Sequence, residues 1–199
     1  MPRCGVETAG LGGKPMTLAN RITLFRLAMV PVFCTMVYLY TADLYLLRAA
    51  AAVVYALASI SDALDGWVAR RFKQESALGR RLDPLADKLL INLGFVFMAA
   101  NEQFVPHVPM WFPVAVLARD VFIVMGAWLI NEKFGPVRVK PRIAGKATTA
   151  LQMVTLIALI LALPGSALLI WINLAFCVWS AADYFFFGWT QVAEKETPQ

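Results

Sequence analysis

The chain has 199 residues, of which 60% are hydrophobic and only 16% are charged. A soluble domain is ordinarily about half apolar and about a quarter charged, so this composition excludes a water-soluble globule, a disordered chain and a coiled coil. The formal net charge of +5 is what the basic loops of a membrane protein produce, and no nucleic-acid partner is expected. The composition predicts an integral membrane protein.

Six apolar runs are long enough to cross a bilayer, which takes roughly 20 mostly apolar residues. They lie at about 20–41, 47–70, 80–100, 109–130, 145–163 and 166–189. The predicted fold class is all-α, an integral membrane bundle of six transmembrane helices. We expect a mobile N-terminal tail at 1–16, one six-helix domain at 17–190 and a C-terminal tail at 191–199.

The basic residues fall almost entirely on one side of the predicted spans. They cluster in the N-terminal tail and in the connections between the second and third and between the fourth and fifth spans. Arg48 is the only basic residue close to the opposite side. Because basic loops remain in the cytoplasm, both termini are predicted to be cytoplasmic. We expect the membrane to be a bacterial inner membrane.

Four aspartates lie where a spanning helix should be apolar. Asp62 and Asp65 are three residues apart in the second span, and Asp83 and Asp87 are four apart in the third. Each costs roughly 2.5–3.5 kcal/mol at mid-span, so such residues are expected to be compensated and functional. Each pair falls on one helix face. Three small residues share these faces: Gly66, Ala69 and Gly79.

A short connection joins the two helices, so the two acidic faces can meet around one point. Four carboxylates at close range repel strongly in a low dielectric, and two divalent cations would cancel their charge. Oxygen-only ligands suit Mg²⁺ or Mn²⁺, and such a site suits a pyrophosphate or phosphoryl group. The alternative is a set of structural salt bridges with Arg70, Arg80, Arg81 and Lys88.

The aspartates belong to a longer pattern. The sequence reads Asp62-x-x-Asp65-Gly66-x-x-Ala69-Arg70, then eight residues, then Gly79-x-x-x-Asp83-x-x-x-Asp87. This pattern resembles the complete signature of the CDP-alcohol phosphatidyltransferase family. Further positions are similar to the family's glycerophospholipid branch: Asn20, Thr23, Arg26 and Pro31 in the first span, Arg119 in the fourth, and Gly145-Lys146 opening the fifth.

The resemblance implies an enzyme that transfers the phosphatidyl group of CDP-diacylglycerol to an alcohol and releases CMP. It implies that Asp62, Asp65 and Asp83 are the core metal ligands, and that Asp87 lies near the two ions and is the general base. Arg70 is expected to hold the pyrophosphate. The CDP-lipid is expected to lie against Gly66, Ala69, Gly79, Asn20, Thr23 and Arg26. A homodimer surrounded by membrane lipids is also implied.

The acceptor is expected to be a glycerol-type alcohol that carries a phosphate. A second basic group lies on the fourth and fifth spans and their connection: Arg119, Lys140, Arg142 and Lys146. An intramembrane arginine beside a lysine at a helix start suits an anionic phosphate, which favours glycerol 3-phosphate or phosphatidylglycerol over serine or ethanolamine. The alternative for Lys140 and Arg142 is simple contact with lipid headgroups.

Two branches of the family remain open. Enzymes that make phosphatidylglycerol phosphate typically carry Arg-Glu and a later arginine in the fourth span, where this chain has Arg119-Asp120 and Ala127. Asp183-Tyr184 in the last span is more similar to the cardiolipin synthase branch. The sequence is also compatible with a different acceptor (inositol phosphate, inositol or serine), with an intramembrane Mg-dependent prenyltransferase, and with a small transporter or channel.

Overall fold

A computed structural model describes the backbone of residues 18–72, 79–134 and 142–196, and the side chains of 24–61, 86–133 and 142–192. The described chain forms six long helices and one short 3-10 turn, Ala42–Leu44. The helices are α1 (Leu18–Tyr38), α2 (Tyr45–Phe72), α3 (Gly79–Ala100), α4 (Trp111–Phe134), α5 (Ile143–Ile160) and α6 (Ser166–Glu196). The predicted all-helical bundle is confirmed.

Four of the six helices are long and apolar enough to cross a membrane, namely α2, α4, α5 and α6. The apolar part of α1 that is described, Leu24–Tyr38, is shorter. Helix α3 carries charged residues over its first ten positions, where the acidic signature lies. The bundle is an integral membrane protein, and α6 continues through Glu196, into the segment predicted as a C-terminal tail.

The bundle consists of two groups of three helices. Helix α1 packs against α2 and α3, and α6 packs against α4 and α5. The groups meet where α3 contacts α4 and α5 and where α2 contacts α5. At this junction the rings of Phe95 and Phe112 lie edge to face at 4.9 Å. A Cβ atom on Gly94 would lie 3.0 Å from Leu156 and from Phe33, so glycine permits the close approach of three helices there.

Buried polar side chains join α5 to α6. Asn173 donates to the hydroxyl of Thr155 at 3.0 Å, and the Thr148 hydroxyl donates to the Phe176 carbonyl at 3.2 Å. Lipid tails are as apolar as leucine, so interhelical hydrogen bonds of this kind, each about 0.6 kcal/mol, supplement packing in a membrane. They hold α6 along α5, which directly follows Arg142 and carries Lys146 in its first turn.

Arg48, the basic residue close to the opposite side, closes the far end of α5. Its Nε donates to the carbonyl of Ile160 at 2.5 Å, and its Nη2 donates to Leu159 at 2.7 Å and Val105 at 2.5 Å. The guanidinium carbon also lies 4.6 Å from the centre of the Phe104 ring. The last carbonyls of a helix have no partner within the helix, so Arg48 satisfies groups that the bilayer cannot.

Arg48→Leu is expected to lower the free energy of unfolding by about 1–3 kcal/mol, because it removes the side-chain donors of the partly buried Ile160 and Leu159 carbonyls at the end of α5. Thermal unfolding in detergent measures the change. Arg48→Lys keeps a positive charge near the negative end of the α5 dipole and should lose less. An unchanged unfolding transition in Arg48→Leu would contradict the capping role.

Candidate active site

The acidic signature lies on two consecutive helices that both pack against α1. Asp62 and Asp65 fall in the second half of α2, and Asp83 and Asp87 in the first half of α3. The side chain of Asp87 is half-buried. The other predicted metal and CDP-lipid residues, apart from Arg26, have side chains outside the described residues: Asp62, Asp65, Asp83, Gly66, Ala69, Arg70, Gly79, Asn20 and Thr23. Their assignments stay predictions.

The chemistry of the donors fits Mg²⁺ or Mn²⁺. The signature offers carboxylates only, and these are the ligands that hard divalent cations prefer. The helical backbone places two carboxylate positions near the end of α2 and two near the start of α3. Among the residues whose side chains are described, no group of three or more His, Cys, Asp or Glu could hold a metal, and that set excludes three of the four signature aspartates.

Arg26 is completely buried on α1. Because α1 is the helix that contacts both signature helices, Arg26 lies on the element that joins them. A fully buried arginine in an apolar bundle is costly and marks a functional site by default. This position is compatible with the prediction that Arg26 contacts the CDP-lipid.

A cavity of about 1140 Å³ lies between α3, α4, α5 and α6. Its lining is mostly apolar, with a few polar side chains, as is usual for ligand sites. The structure brings three of the four predicted acceptor residues to this cavity, namely Arg119, Arg142 and Lys146. The fourth, Lys140, lies outside the described residues. Lys88, which directly follows Asp87, also lines the cavity.

Asp120 on α4 pairs with two cations that lie inside the spans, Lys88 and Arg119. Its Oδ1 accepts from Lys88 Nζ at 2.5 Å and from Arg119 Nη1 at 2.7 Å. Its Oδ2 accepts from Asn92 Nδ2 at 3.4 Å, and Arg119 Nη2 donates to Ser180 on α6. Lys88 and Asn92 are one helical turn apart, so they bracket the carboxylate. The described ion pair of Lys88 is therefore with Asp120, and salt bridges to Asp62, Asp65 or Asp83 would involve side chains outside the described residues.

Arg142 immediately precedes α5 and is held by α6. Its Nε and Nη2 donate to the two carboxylate oxygens of Asp183, the Nη2 bond being 2.7 Å long. Its backbone N–H donates to the Tyr184 hydroxyl at 3.3 Å, and its guanidinium carbon lies 4.6 Å from the centre of the Phe187 ring. The hydrogen bond to Asp183 raises the pKa of Arg142 above its ordinary value, so the guanidinium keeps its charge.

Gly145 leaves the space that Tyr184 occupies beside Arg142. A Cβ atom at position 145 would lie 2.9 Å from the Tyr184 hydroxyl oxygen and 3.1 Å from its ring. Glycine is therefore needed for the close contact between the start of α5 and α6. Lys146, the next residue, is exposed, and no hydrogen bond or ion pair joins its amine to the described side chains.

Two buried polar atoms on the cavity wall lack a hydrogen-bond partner among the described residues, Arg119 Nε and Asn92 Oδ1. The carboxylate of Asp120 only accepts hydrogen bonds, so it fixes the amide of Asn92 with the nitrogen towards Asp120. One donor and one acceptor are thus left for a polar ligand.

Three residues of this site were missed by the sequence reasoning: Asn92, Asp120 and Asp183. The signal for two of them was present. An acid inside a spanning helix is expensive, and that argument, applied to the four signature aspartates, applies equally to Asp120 in α4 and Asp183 in α6.

Comparison with known proteins agrees with the signature. The family model for CDP-alcohol phosphatidyltransferase matches residues 16–179. The chain is 30% identical over 189 residues to the CDP-diacylglycerol–glycerol-3-phosphate 3-phosphatidyltransferase of Bacillus subtilis (strain 168), covering 86% of this chain and 95% of that protein.

Further relatives divide between two activities. The protein of the same name from Rickettsia bellii (strain RML369-C) is 34% identical over 151 residues, 75% of this chain and 77% of that protein. The CMP-forming cardiolipin synthase of Homo sapiens is 29% identical over 174 residues, 79% of this chain but only 54% of that protein. By its motif, its helices and the span of the family match, the chain belongs to the CDP-alcohol phosphatidyltransferase family.

Proposed function

We propose that this protein transfers the phosphatidyl group of CDP-diacylglycerol to glycerol 3-phosphate or phosphatidylglycerol and releases CMP. The observation that carries the proposal is the position of the cationic cavity. The cavity is lined by Lys88, the residue after Asp87, and by Arg119, Arg142 and Lys146. A phosphate-bearing acceptor held there lies beside the helix that carries the proposed base. The family assignment leaves the prenyltransferase and transporter alternatives without support.

Asp87 is proposed as the general base. It takes the proton from the acceptor hydroxyl as that oxygen attacks the β-phosphorus of the CDP-lipid. The new oxygen–phosphorus bond forms while the bond from that phosphorus to the CMP oxygen breaks, and CMP leaves. Asp62, Asp65 and Asp83, with Asp87, are proposed to hold two Mg²⁺ or Mn²⁺ ions. When bound, the metal ions would neutralise the negative charge of the pyrophosphate and of the leaving CMP.

The charges around the cavity favour an anionic acceptor. Four cations line it: Lys88, Arg119, Arg142 and Lys146. Two carboxylates pair with them, Asp120 and Asp183, so among the described residues four positive and two negative charges leave two positive charges unbalanced. A phosphate balances this excess, whereas neutral inositol or zwitterionic serine does not. The names of the Bacillus and Rickettsia relatives, which contain glycerol 3-phosphate, favour glycerol over inositol phosphate as the rest of the acceptor.

The proposed orientation places both termini and the site towards the cytoplasm of a bacterial inner membrane. The distribution of lysine and arginine supports it, because the basic residues lie on the side of the signature and Arg48, near the opposite side, is bound to helix-end carbonyls. We also propose that the protein forms a homodimer, because its sequence resembles the family.

The test is CMP release by the purified protein in detergent with CDP-diacylglycerol and Mg²⁺. Glycerol 3-phosphate, phosphatidylglycerol, inositol, inositol phosphate and serine are added separately. Release is expected with one of the two glycerol acceptors, and removal of metal with EDTA should abolish it. Adding back Mg²⁺ should restore it. Release only with inositol phosphate, inositol or serine would contradict the glycerol assignment, and undiminished release in EDTA would contradict the metal site.

A further inference from the structure

We infer that Asp183 on α6 is a positioning residue for acceptor recognition, because it fixes the guanidinium of Arg142 with one nitrogen left for the acceptor phosphate. The inference rests on the proposed function, since Arg142 has this role only if the acceptor carries an anion. Asp183 lies outside the signature, on a different helix, and is 41 residues from Arg142 in sequence.

The hydrogen bonds of Arg142 determine which atom is left for a ligand. Asp183 occupies Nε and Nη2 in a two-pronged pair. Among the described residues, Nη1 has no partner. An arginine fork bound on one edge still presents the donors of its remaining nitrogen, and a phosphate oxygen is the acceptor that such donors prefer. Arg142 lines the cavity, and Nη1 is its guanidinium nitrogen without a partner among the described residues.

Helix α6 supplies the described contacts of the Arg142 side chain and the partner of its backbone N–H. Asp183 binds the side chain, Tyr184 accepts from the backbone N–H, and Phe187 lies one turn further along against the guanidinium. A free arginine side chain has many rotamers, and ordering it on binding weakens affinity. Because α6 already fixes the Arg142 side chain, acceptor binding costs less conformational entropy and is therefore tighter.

Stability alone does not account for the Arg142–Asp183 pair. The side chains of the two residues remain 32% and 23% exposed. Ion pairs with this much exposure usually contribute little to folding, since the charges are screened and two side chains must be ordered. Orienting Arg142 for the acceptor is a role that the Asp183 carboxylate can perform even though it is partly exposed.

The experiment compares Asp183→Asn with the wild-type protein in the CMP-release assay. The KM for the acceptor is expected to rise about tenfold, with kcat changed less than about threefold and the KM for CDP-diacylglycerol unchanged. The substitution removes a negative charge beside a phosphate site, so electrostatics alone would lower the acceptor KM. A rise therefore reports lost orientation. Asp183→Glu keeps the carboxylate and should restore part of the affinity.

Glu132→Gln is the matched control. Glu132 is an exposed carboxylate near the end of α4, ten residues before Arg142 in the chain, and no described contact joins the two. It loses the same charge without touching Arg142, so its acceptor KM should equal that of wild type. An equal rise in both variants would show that the rise does not depend on contact with Arg142, and it would overturn the inference.

Three further outcomes decide the question. An acceptor KM that is unchanged or lowered in a folded Asp183→Asn protein overturns the inference and leaves the proposed function intact. If that variant does not fold, Tyr184→Phe takes its place, because it removes only the bond to the Arg142 N–H. It should raise the acceptor KM about threefold. An unchanged acceptor KM in Tyr184→Phe would contradict the inference. Wild-type protein that releases no CMP with either glycerol acceptor refutes the proposed function itself, and the role of Asp183 with it.

Discussion

Replacing Asp87 with asparagine is expected to lower kcat by about 10²–10⁴-fold, the usual contribution of a general base, while CDP-diacylglycerol still binds. Asparagine has nearly the same shape but cannot take the proton from the acceptor hydroxyl. Asp87 is half-buried on α3, beside Lys88 at the edge of the cationic cavity. Turnover is measured as CMP release, and binding is measured separately by equilibrium dialysis of CDP-diacylglycerol in detergent.

A titration with Mg²⁺ separates the two roles proposed for Asp87. If Asp87 is chiefly the base, turnover of the variant stays low at every Mg²⁺ concentration. If Asp87 is chiefly a metal ligand, a higher Mg²⁺ concentration should recover much of the rate. Asp43→Asn, which changes an exposed carboxylate in the 3-10 turn after α1, is the control. Wild-type turnover in Asp87→Asn would remove Asp87 from the base role.

The helices were predictable from the sequence because a bilayer imposes a minimum apolar length. The third span, predicted at 80–100, is the helix Gly79–Ala100. The end of the last span was less predictable. Hydropathy marks where a helix leaves the membrane, not where its hydrogen bonding stops, and the polar residues after Trp189 continue α6 to Glu196. The six helices were therefore predicted better than their ends, and four of the six predicted spans are long and apolar enough to cross a membrane.

The candidate site was predictable where local spacing carries the information. The signature aspartates share helix faces within each span, and that can be derived from residue numbers alone. The pairs Lys88–Asp120 and Arg142–Asp183 join residues 32 and 41 positions apart. Hydropathy does not reveal which helices are neighbours, so these contacts require the packing of α3 on α4 and of α5 on α6. Asp120 and Asp183 could be recognised as costly acids inside spans, but their partners could not be predicted, for this reason.

Asp120→Asn is expected to destabilise the protein by about 3–5 kcal/mol, the usual cost of removing one partner of a buried ion pair. The side chains of Asp120 and Arg119 are only 13% and 7% exposed, and Lys88 and Arg119 would be left as two cations with no described counter-charge. Because the whole stability of a domain is about 5–15 kcal/mol, this loss is a large fraction of it, and the unfolding transition should shift to much lower denaturant. Unfolding is followed by denaturant titration in detergent.

The charge mechanism behind this loss predicts a specific rescue. Adding Lys88→Met to Asp120→Asn removes one of the two uncompensated cations, so the double variant should be more stable than Asp120→Asn alone, although Lys88→Met by itself is destabilising. Residues in contact show such coupling, whereas distant ones add. Glu132→Gln, an exposed change on the same helix, should shift the transition little. If Asp120→Asn were as stable as wild type, or if Lys88→Met only added to its loss, the carboxylate would not be what allows Lys88 and Arg119 to lie inside the bundle.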